Sequence, residues 1–468
     1  MSNTRSLRRT QFSCLECGTT AAKWVGRCDG CGAWNTIVEE PVSSSPLVAS
    51  VAPSQRASAI TAVSGLDAHP VPTGFAEFDR VMGGGLVPGS VTLIGGEPGV
   101  GKSTLLLQLL GGPARRGSTA LYICAEESPQ QVRRRAERVD ALSESLFLAA
   151  ETSLAHVLGH IDELSPAVVV VDSIQTVFDP ELTSAPGSVA QVRQCAHRLV
   201  TIAKERDIAI LLVGHVTKEG ALAGPRVLEH VVDTVLSFEG DRHHSLRLLR
   251  ASKHRFGATQ EVGLFAMTEG GLEAVADPSE MFLADRRVGV AGSVIVPTIE
   301  GNRPLLVELQ ALVADSKLTN PRRSVTGVDP SRVGLILAVI ERRLDIKVLA
   351  LDVYAMAVGG ARVTEPGADL GLALAVVSSL LDVEVPPGIV ACGEVGLGGE
   401  LRSVGGIERR LSEAARMGFS HALVPHSTPD LDVEIELVRV PTLAMAIGAC
   451  NLVSRSETAA EMAGSSLE

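Results

Sequence analysis

Two groups of residues in this sequence have the types and spacing to do chemistry. The first is Gly96-Glu97-Pro98-Gly99-Val100-Gly101-Lys102-Ser103, followed by Thr104. It fits G-x-x-x-x-G-K-[ST], in which glycine-rich backbone turns its N–H groups onto phosphate oxygens at a helix N-terminus. Lys102 then neutralises charge on the outer phosphates and the Ser103 hydroxyl helps hold Mg²⁺, so the chemistry indicated is binding and hydrolysis of ATP. The second is Cys14-x₂-Cys17 and, ten residues on, Cys28-x₂-Cys31. Two such knuckles wrap a tetrahedral Zn²⁺ with four thiolates. A unit of roughly thirty residues buries too little surface to be stable alone, so the metal is expected to be structural. Trp24 and Trp34, the only tryptophans, fall inside this module and are expected to cap its small core, the alternative being a partner-binding face.

Strands and helices must carry these residues. Val91 to Ile94 reads as the strand entering the phosphate loop, and Leu105 to Leu110 as the helix leaving it. Thr119 to Ala125, Ala167 to Asp172 and Ile208 to His215 read as buried strands. Gln130 to Arg138, Leu154 to Leu164 and Val189 to Lys204 read as helices. Such alternation predicts an α/β fold with a mostly parallel sheet, helices on both faces and ligands at the carboxyl ends of the strands. Asp172 ends a run of four valines, where it orients Mg²⁺ through water. Glu126, with Glu127 as the second choice, ends another strand, where a carboxylate polarises the water attacking the γ-phosphate. His215, ending a third, is placed to sense that phosphate.

Composition narrows the function. The 468 residues carry a formal charge of −12, which argues against indiscriminate polyanion binding and leaves nucleic-acid contact to local Arg/Lys clusters. No apolar run approaches membrane-spanning length, and the expected location is the cytoplasm. The remaining cysteines, Cys124, Cys195, Cys392 and Cys450, sit in apolar surroundings and read as small core residues.

The order of these motifs, closed by Lys253-His254-Arg255-Phe256-Gly257, resembles the bacterial RadA (Sms) family of DNA-repair proteins, which carries Lys-Asn-Arg-Phe-Gly at this place. The resemblance implies a RecA-like P-loop ATPase core, a small N-terminal Cys₄ zinc module and an α+β Lon-protease-like C-terminal domain. It implies a hexameric ring that moves along single-stranded DNA and promotes branch migration of branched recombination intermediates with the RecA recombinase. In such rings ATP lies between subunits, so Lys253 and Arg255 would reach the neighbour's γ-phosphate. His254 replaces the family's Asn, and imidazole offers one donor where the amide offers two. ATP, Mg²⁺ and Zn²⁺ are the expected cofactors.

Domain limits follow: 1–40 zinc module, 41–72 linker, 73–276 ATPase, 277–285 connector, 286–453 Lon-like domain and 454–468 disordered tail. Two loops are candidates to face a pore, Phe178 to Val189 and Thr217 to Arg226, the second with Lys218 and Arg226. Arg286, Arg287, Arg322 and Arg323 are the local clusters expected to meet duplex DNA. Gly292 to Val296, Leu305 to Leu312 and Val353 to Gly359 read as strands, and Ser331 to Arg343 as a helix. By alignment Asp369 stands where Lon-type proteases carry the nucleophilic serine and Glu408 where they carry lysine. No lysine follows Lys347, so a Ser–Lys dyad cannot form and no peptidase activity is expected. Two other readings stay open: a KaiC-like signalling ATPase, and a DNA-binding scaffold whose ATP only sets assembly state.

Overall fold

The run Val168-Val169-Val170-Val171 is apolar at every position, and a strand can sustain that only with both faces covered. All four side chains are buried. Val168 and Val170 join a core with Leu105, Leu106 and Leu109 of the helix Lys102–Arg115. Val169 and Val171 join a second core with Leu199 and Ala203 of the helix Val189–Arg206. The period-two alternation of the strand thus meets a helical layer on each side.

The structure, a computed structural model, describes residues 10–14, 19–41, 59, 61, 69–216, 222–223, 227–240 and 246–452. Six strands of the large sheet are parallel, in the order Thr234–Gly240, Val91–Gly96, Ala209–Val216, Val168–Asp172, Ala120–Cys124, Leu146–Ala149. Beyond Thr234–Gly240 the sheet continues antiparallel through Leu246–His254, Val262–Thr268 and Gly271–Ala274. The short links between these last strands allow antiparallel pairing only, which explains why the helix-strand alternation stops there.

The chain divides into two compact units, Met1–Val275 and Ala276–Glu468. The second holds a seven-stranded sheet ordered Arg323–Thr326, Asp352–Ala357, Arg303–Ala314, Ser293–Glu300, Ile389–Ala391, His421–Pro425, Glu436–Val440. Residues 277–285 are not a passive connector. Asp277 accepts from Glu280 N at 3.0 Å and caps the helix Pro278–Leu283, whose Ser279 accepts from Leu306 N at 3.1 Å and donates to Glu413. Asp-Pro at a helix start is an N-cap followed by a residue needing no N–H donor. A further helix, Asp369–Leu381, has every residue from 369 to 378 buried. Its uniform burial hides it from periodicity arguments. A Cβ on Gly371 would lie 2.1 Å from Val296 Cγ1, so glycine lets this helix press onto the sheet. No described helix is long and apolar enough to cross a membrane.

Candidate nucleotide site and metal centre

The phosphate loop grows out of a strand in which all six residues, Val91–Gly96, are buried. Glycine is required at two points. A Cβ on Gly96 would lie 2.4 Å from the Phe238 carbonyl oxygen, and Gly101 has φ 112° with Met267 Cε 2.6 Å from its Cβ position. The helix Lys102–Arg115 starts directly after. The loop opens on a cleft of about 490 Å³ lined by Gly99, Lys102, Ser103, Glu126, Asp172 and Arg247 among others.

Within the cleft the predicted residues converge. Ser103 Oγ donates to Asp172 Oδ2 at 2.6 Å, which sets hydroxyl and carboxylate side by side, as joint Mg²⁺ binding requires. Lys102 Nζ donates to the carbonyls of Gly96 at 2.7 Å and Glu97 at 3.0 Å. Burial lowers the pKa of this ammonium, while Asp172 and Glu126 act to raise it. Glu126 accepts from Ser173 Oγ. Glu127 is committed elsewhere: Arg135 grips it with both nitrogens at 2.7 and 2.8 Å, and that bond raises the guanidinium pKa.

Two residues of the cleft were not anticipated. Tyr122 Oη donates to Asp172 Oδ2 at 2.6 Å; its pKa is pushed well up by burial and by that carboxylate. Arg247, from a strand more than a hundred residues downstream, is buried and donates from Nε to the Val100 carbonyl at 3.1 Å. Tyr122 lies inside an apolar strand and Arg247 on the antiparallel extension, so neither has a local signature.

Lys253 and Arg255 are not in this cleft. Val235 pairs with Lys253 and with Leu93, near the start of the phosphate-loop strand, whereas Gly240 pairs with Arg247 at the phosphate end. Lys253 Nζ donates to the carbonyls of Glu229 and Val232, each at 2.6 Å, and Arg255 Nη1 to Asp233 Oδ1 at 2.9 Å. Burial and the neighbouring Arg255 lower the Lys253 pKa. His254 Nδ1 lies 3.3 Å from Thr234 Oγ1, and its buried Nε2 has no partner among the described residues. Phe256 is exposed, and Gly257 packs beside the His254 ring. His215 lies one residue before the end of the strand Ala209–Val216, opposite Gly96. Its side chain lies outside the described residues, as do Cys17, Lys218, Arg226, most of 41–72 and the tail.

In the N-terminal module, Thr20–Ala21, Thr10–Cys14 and Ile37–Pro41 form a three-stranded sheet. The sulfurs of Cys14, Cys28 and Cys31 lie within 4.8 Å of one another. Gly30 N donates to Cys28 Sγ at 3.3 Å, a bond that favours thiolate. Three clustered sulfurs with donors turned toward them fit a zinc centre. The tryptophans do not cap the core: Trp24 is 57% and Trp34 69% exposed.

Comparison with known proteins agrees in all three regions. Residues 12–39 match the rubredoxin metal binding domain, 59–221 the AAA domain and 352–443 the Lon protease (S16) C-terminal proteolytic domain. The DNA repair protein RadA of Halalkalibacterium halodurans is 49% identical over 89% of this chain and 93% of its own length. That of Bacillus subtilis is 46% identical over 94% and 98%, and that of Mycobacterium tuberculosis H37Rv 46% over 94% and 92%. This chain belongs to the RadA family. It is a P-loop ATPase of a DNA-repair family, with a zinc-ribbon module and a Lon-like domain. Among solved structures a KaiC-like protein of Pyrococcus horikoshii covers 44% of the chain and 99% of its own at 18% identity and TM-score 0.38, a likeness too distant to bear on function.

In this RadA-family chain the Lon-like unit holds two ion pairs that each have a buried partner. Asp369, 2% exposed, is gripped by Arg332 through Nε to Oδ1 at 3.0 Å and through Nη2 to Oδ2, and also accepts from Val395 N at 3.2 Å. Burial raises the Asp369 pKa further than these partners lower it. Arg410, buried, binds Glu365 with both nitrogens at 2.5 Å and the Pro297 carbonyl at 2.8 Å. Glu408 is exposed. Of the arginines expected to meet DNA, Arg286 stacks 5.5 Å from the Phe419 ring centroid, and burial lowers its pKa. Arg323 donates to the carbonyls of Arg322 and Leu349 at 2.9 and 2.8 Å and to that of Leu351. Arg286 is thus half-buried in packing, whereas Arg323, though bonded to carbonyls, is exposed, as are Arg287 and Arg322. The loop from Phe178 to Val189 carries Asp179 and Glu181 and no cation, so it offers phosphates no positive charge.

Proposed function

We propose that this chain is a DNA-dependent motor, a hexameric ring that hydrolyses ATP while moving along single-stranded DNA, and that with a RecA-type recombinase it drives branch migration in the cytoplasm. One observation carries the reading: Arg247 lies at one end of the strand Leu246–His254 and Lys253 at the other, with Arg255 just beyond that end. A strand advances about 3.3 Å per residue, so the motif is roughly 20 Å from its own phosphates and acts on a neighbour's or not at all. Phosphates would lie on the backbone from Gly96 to Thr104 with Lys102 released from its carbonyls. Ser103 and Asp172 would hold Mg²⁺, which neutralises phosphate charge. Glu126 would take the proton of the attacking water, and Tyr122 would orient Asp172. His215 would register the γ-phosphate. Lys253 and Arg255 would leave Asp233 and the carbonyls to stabilise charge across the subunit boundary. The Lon-like unit would serve assembly without peptidase action. ATP turnover measured with and without a single-stranded oligonucleotide, together with strand displacement, tests this. DNA should raise turnover several-fold, and K253A and R255A should lose that gain while still binding ATP. Equal turnover in all cases would overturn it.

A further inference from the structure

The zinc module carries a surface that the nucleotide chemistry does not use. Its core consists of Cys14, Cys28 and Ile37, with Phe12 and Val25 packed against them, and neither indole takes part. Yet the ring tips converge. A Cβ on Gly26 would lie 3.7 Å from Trp24 Cη2 and 4.0 Å from Trp34 Cζ3. The two segments are tied by Asn35 N donating to Gly26 O at 2.8 Å and by an antiparallel bridge between Arg27 and Trp34. Arg27 is itself held, donating from Nε to Gly32 O at 3.1 Å with its guanidinium carbon 5.8 Å from the Trp34 ring centroid. Lys23 is exposed beside Trp24.

Keeping both tryptophans of a 468-residue chain in water, on a unit with so little core of its own, forgoes burial worth several kcal/mol. A partner that covers them recovers it. Aromatic rings beside arginine suit either a protein or the bases of an unpaired strand. Charge favours the strand: Lys23 and Arg27 flank the rings in a chain of net charge −12, with Asp29 the one acidic side chain among residues 19–37. Base stacking on aromatic faces is indifferent to sequence, and flanking cations meet the phosphates.

We propose that Trp24 and Trp34, with Lys23 and Arg27, form a stacking platform for single-stranded nucleic acid, separate from the ATPase cleft. The inference rests on the reading that the chain works on DNA. Because these are the only tryptophans, their emission in the unmodified zinc-loaded chain reports this surface alone. Titration with a dT homopolymer should quench the emission in step with binding, followed independently by anisotropy of a labelled strand. W24A and W34A should each loosen single-strand binding about tenfold, the scale of one stacked base, and leave duplex binding unchanged. W24F and W34F, which keep a stacking face, should retain most of the affinity. Zinc content identifies any variant that fails to fold, and the emission measurement needs no variant.

Complete binding by anisotropy with unchanged emission overturns the platform while leaving DNA-stimulated turnover intact. Quenching by a RecA-type recombinase without DNA, and none by the homopolymer, also overturns it and assigns the face to a protein. Absence of any binding to DNA overturns both the platform and the motor reading.

Discussion

The phosphate-loop cleft and the Lon-like site are built from the same materials, carboxylates facing cations beside a helix start, and they put them to opposite use. In the cleft the cation Lys102 donates, among the described residues, to backbone carbonyls, and Ser103, Tyr122, Asp172 and Glu126 converge on open space. In the Lon-like unit the buried charges Asp369 and Arg410 are matched, by Arg332 and Glu365. A phosphate can displace carbonyls from an ammonium, because the charge-assisted bond is the stronger one. Nothing small displaces a two-pronged arginine from a buried carboxylate. Exchangeable partners mark a site of turnover, and saturated ones mark a structural joint.

The comparison breaks first at Glu126. E126Q should lower turnover at least 100-fold with ATP binding retained, the scale of losing a general base, while E127Q should act mainly on Arg135 and cost turnover far less. Equal losses in single-turnover assays would reverse the assignment. Next, R410A should destabilise the C-terminal unit by about 3 kcal/mol in denaturant melts, since it strands Glu365 partly buried, yet leave ATP binding unchanged. R247A should raise the KM for ATP about tenfold with a smaller change in kcat, because Arg247 holds the loop backbone through Val100. R247K should restore little, since a lysine carries its donors on one nitrogen and cannot reproduce the fork that meets the Val100 and Leu246 carbonyls.

Acid should separate the two regions further. Asp277 is held low by Arg416, and Glu365 and Glu413, though burial pushes them up, are drawn below their usual range by Arg410 and Arg416. Groups with lowered folded pKa give stabilisation that is complete above the ordinary carboxyl range, about pH 4, and is lost as pH falls through the lowered values. Asp369, raised by burial, works the other way: its contribution is present at low pH and lost as pH rises through its folded pKa. Melts between about pH 5 and pH 2 should show the C-terminal unit losing stability overall, because Asp277, Glu365 and Glu413 are joined by Glu341, Asp345, Asp352 and Glu400 on the lowered side, against Asp369 alone. The smallest effect belongs to the arginines. R287A should shallow the salt dependence of DNA binding by about one unit, whereas R286A should change stability and leave that slope alone.

Legibility followed the same divide. The glycine loop, the Asp172 strand and the cysteine knuckles could be read because each is a local pattern fixed by one ligand geometry. Tyr122 and Arg247 could not, since their partners are 50 and 147 residues away. That Arg332 pairs with Asp369 and Arg410 with Glu365 could not be read, because it depends on how the helix Asp369–Leu381 lies against the sheet. The tryptophans were expected inside, since large apolar side chains generally are; a module this small has no interior to give them.

The central claim is that one protomer's phosphate loop is completed by another's Lys253 and Arg255, and mixing two inactive variants tests it most directly. K102A lacks a working loop and R255A lacks the reaching cation, so in mixed rings the loop of one meets the intact strand end of the other. The account predicts that DNA-stimulated ATP turnover returns on mixing well above the sum of the separate variants. Mixed assemblies confirmed by native mass that hydrolyse no more ATP than that sum would contradict it.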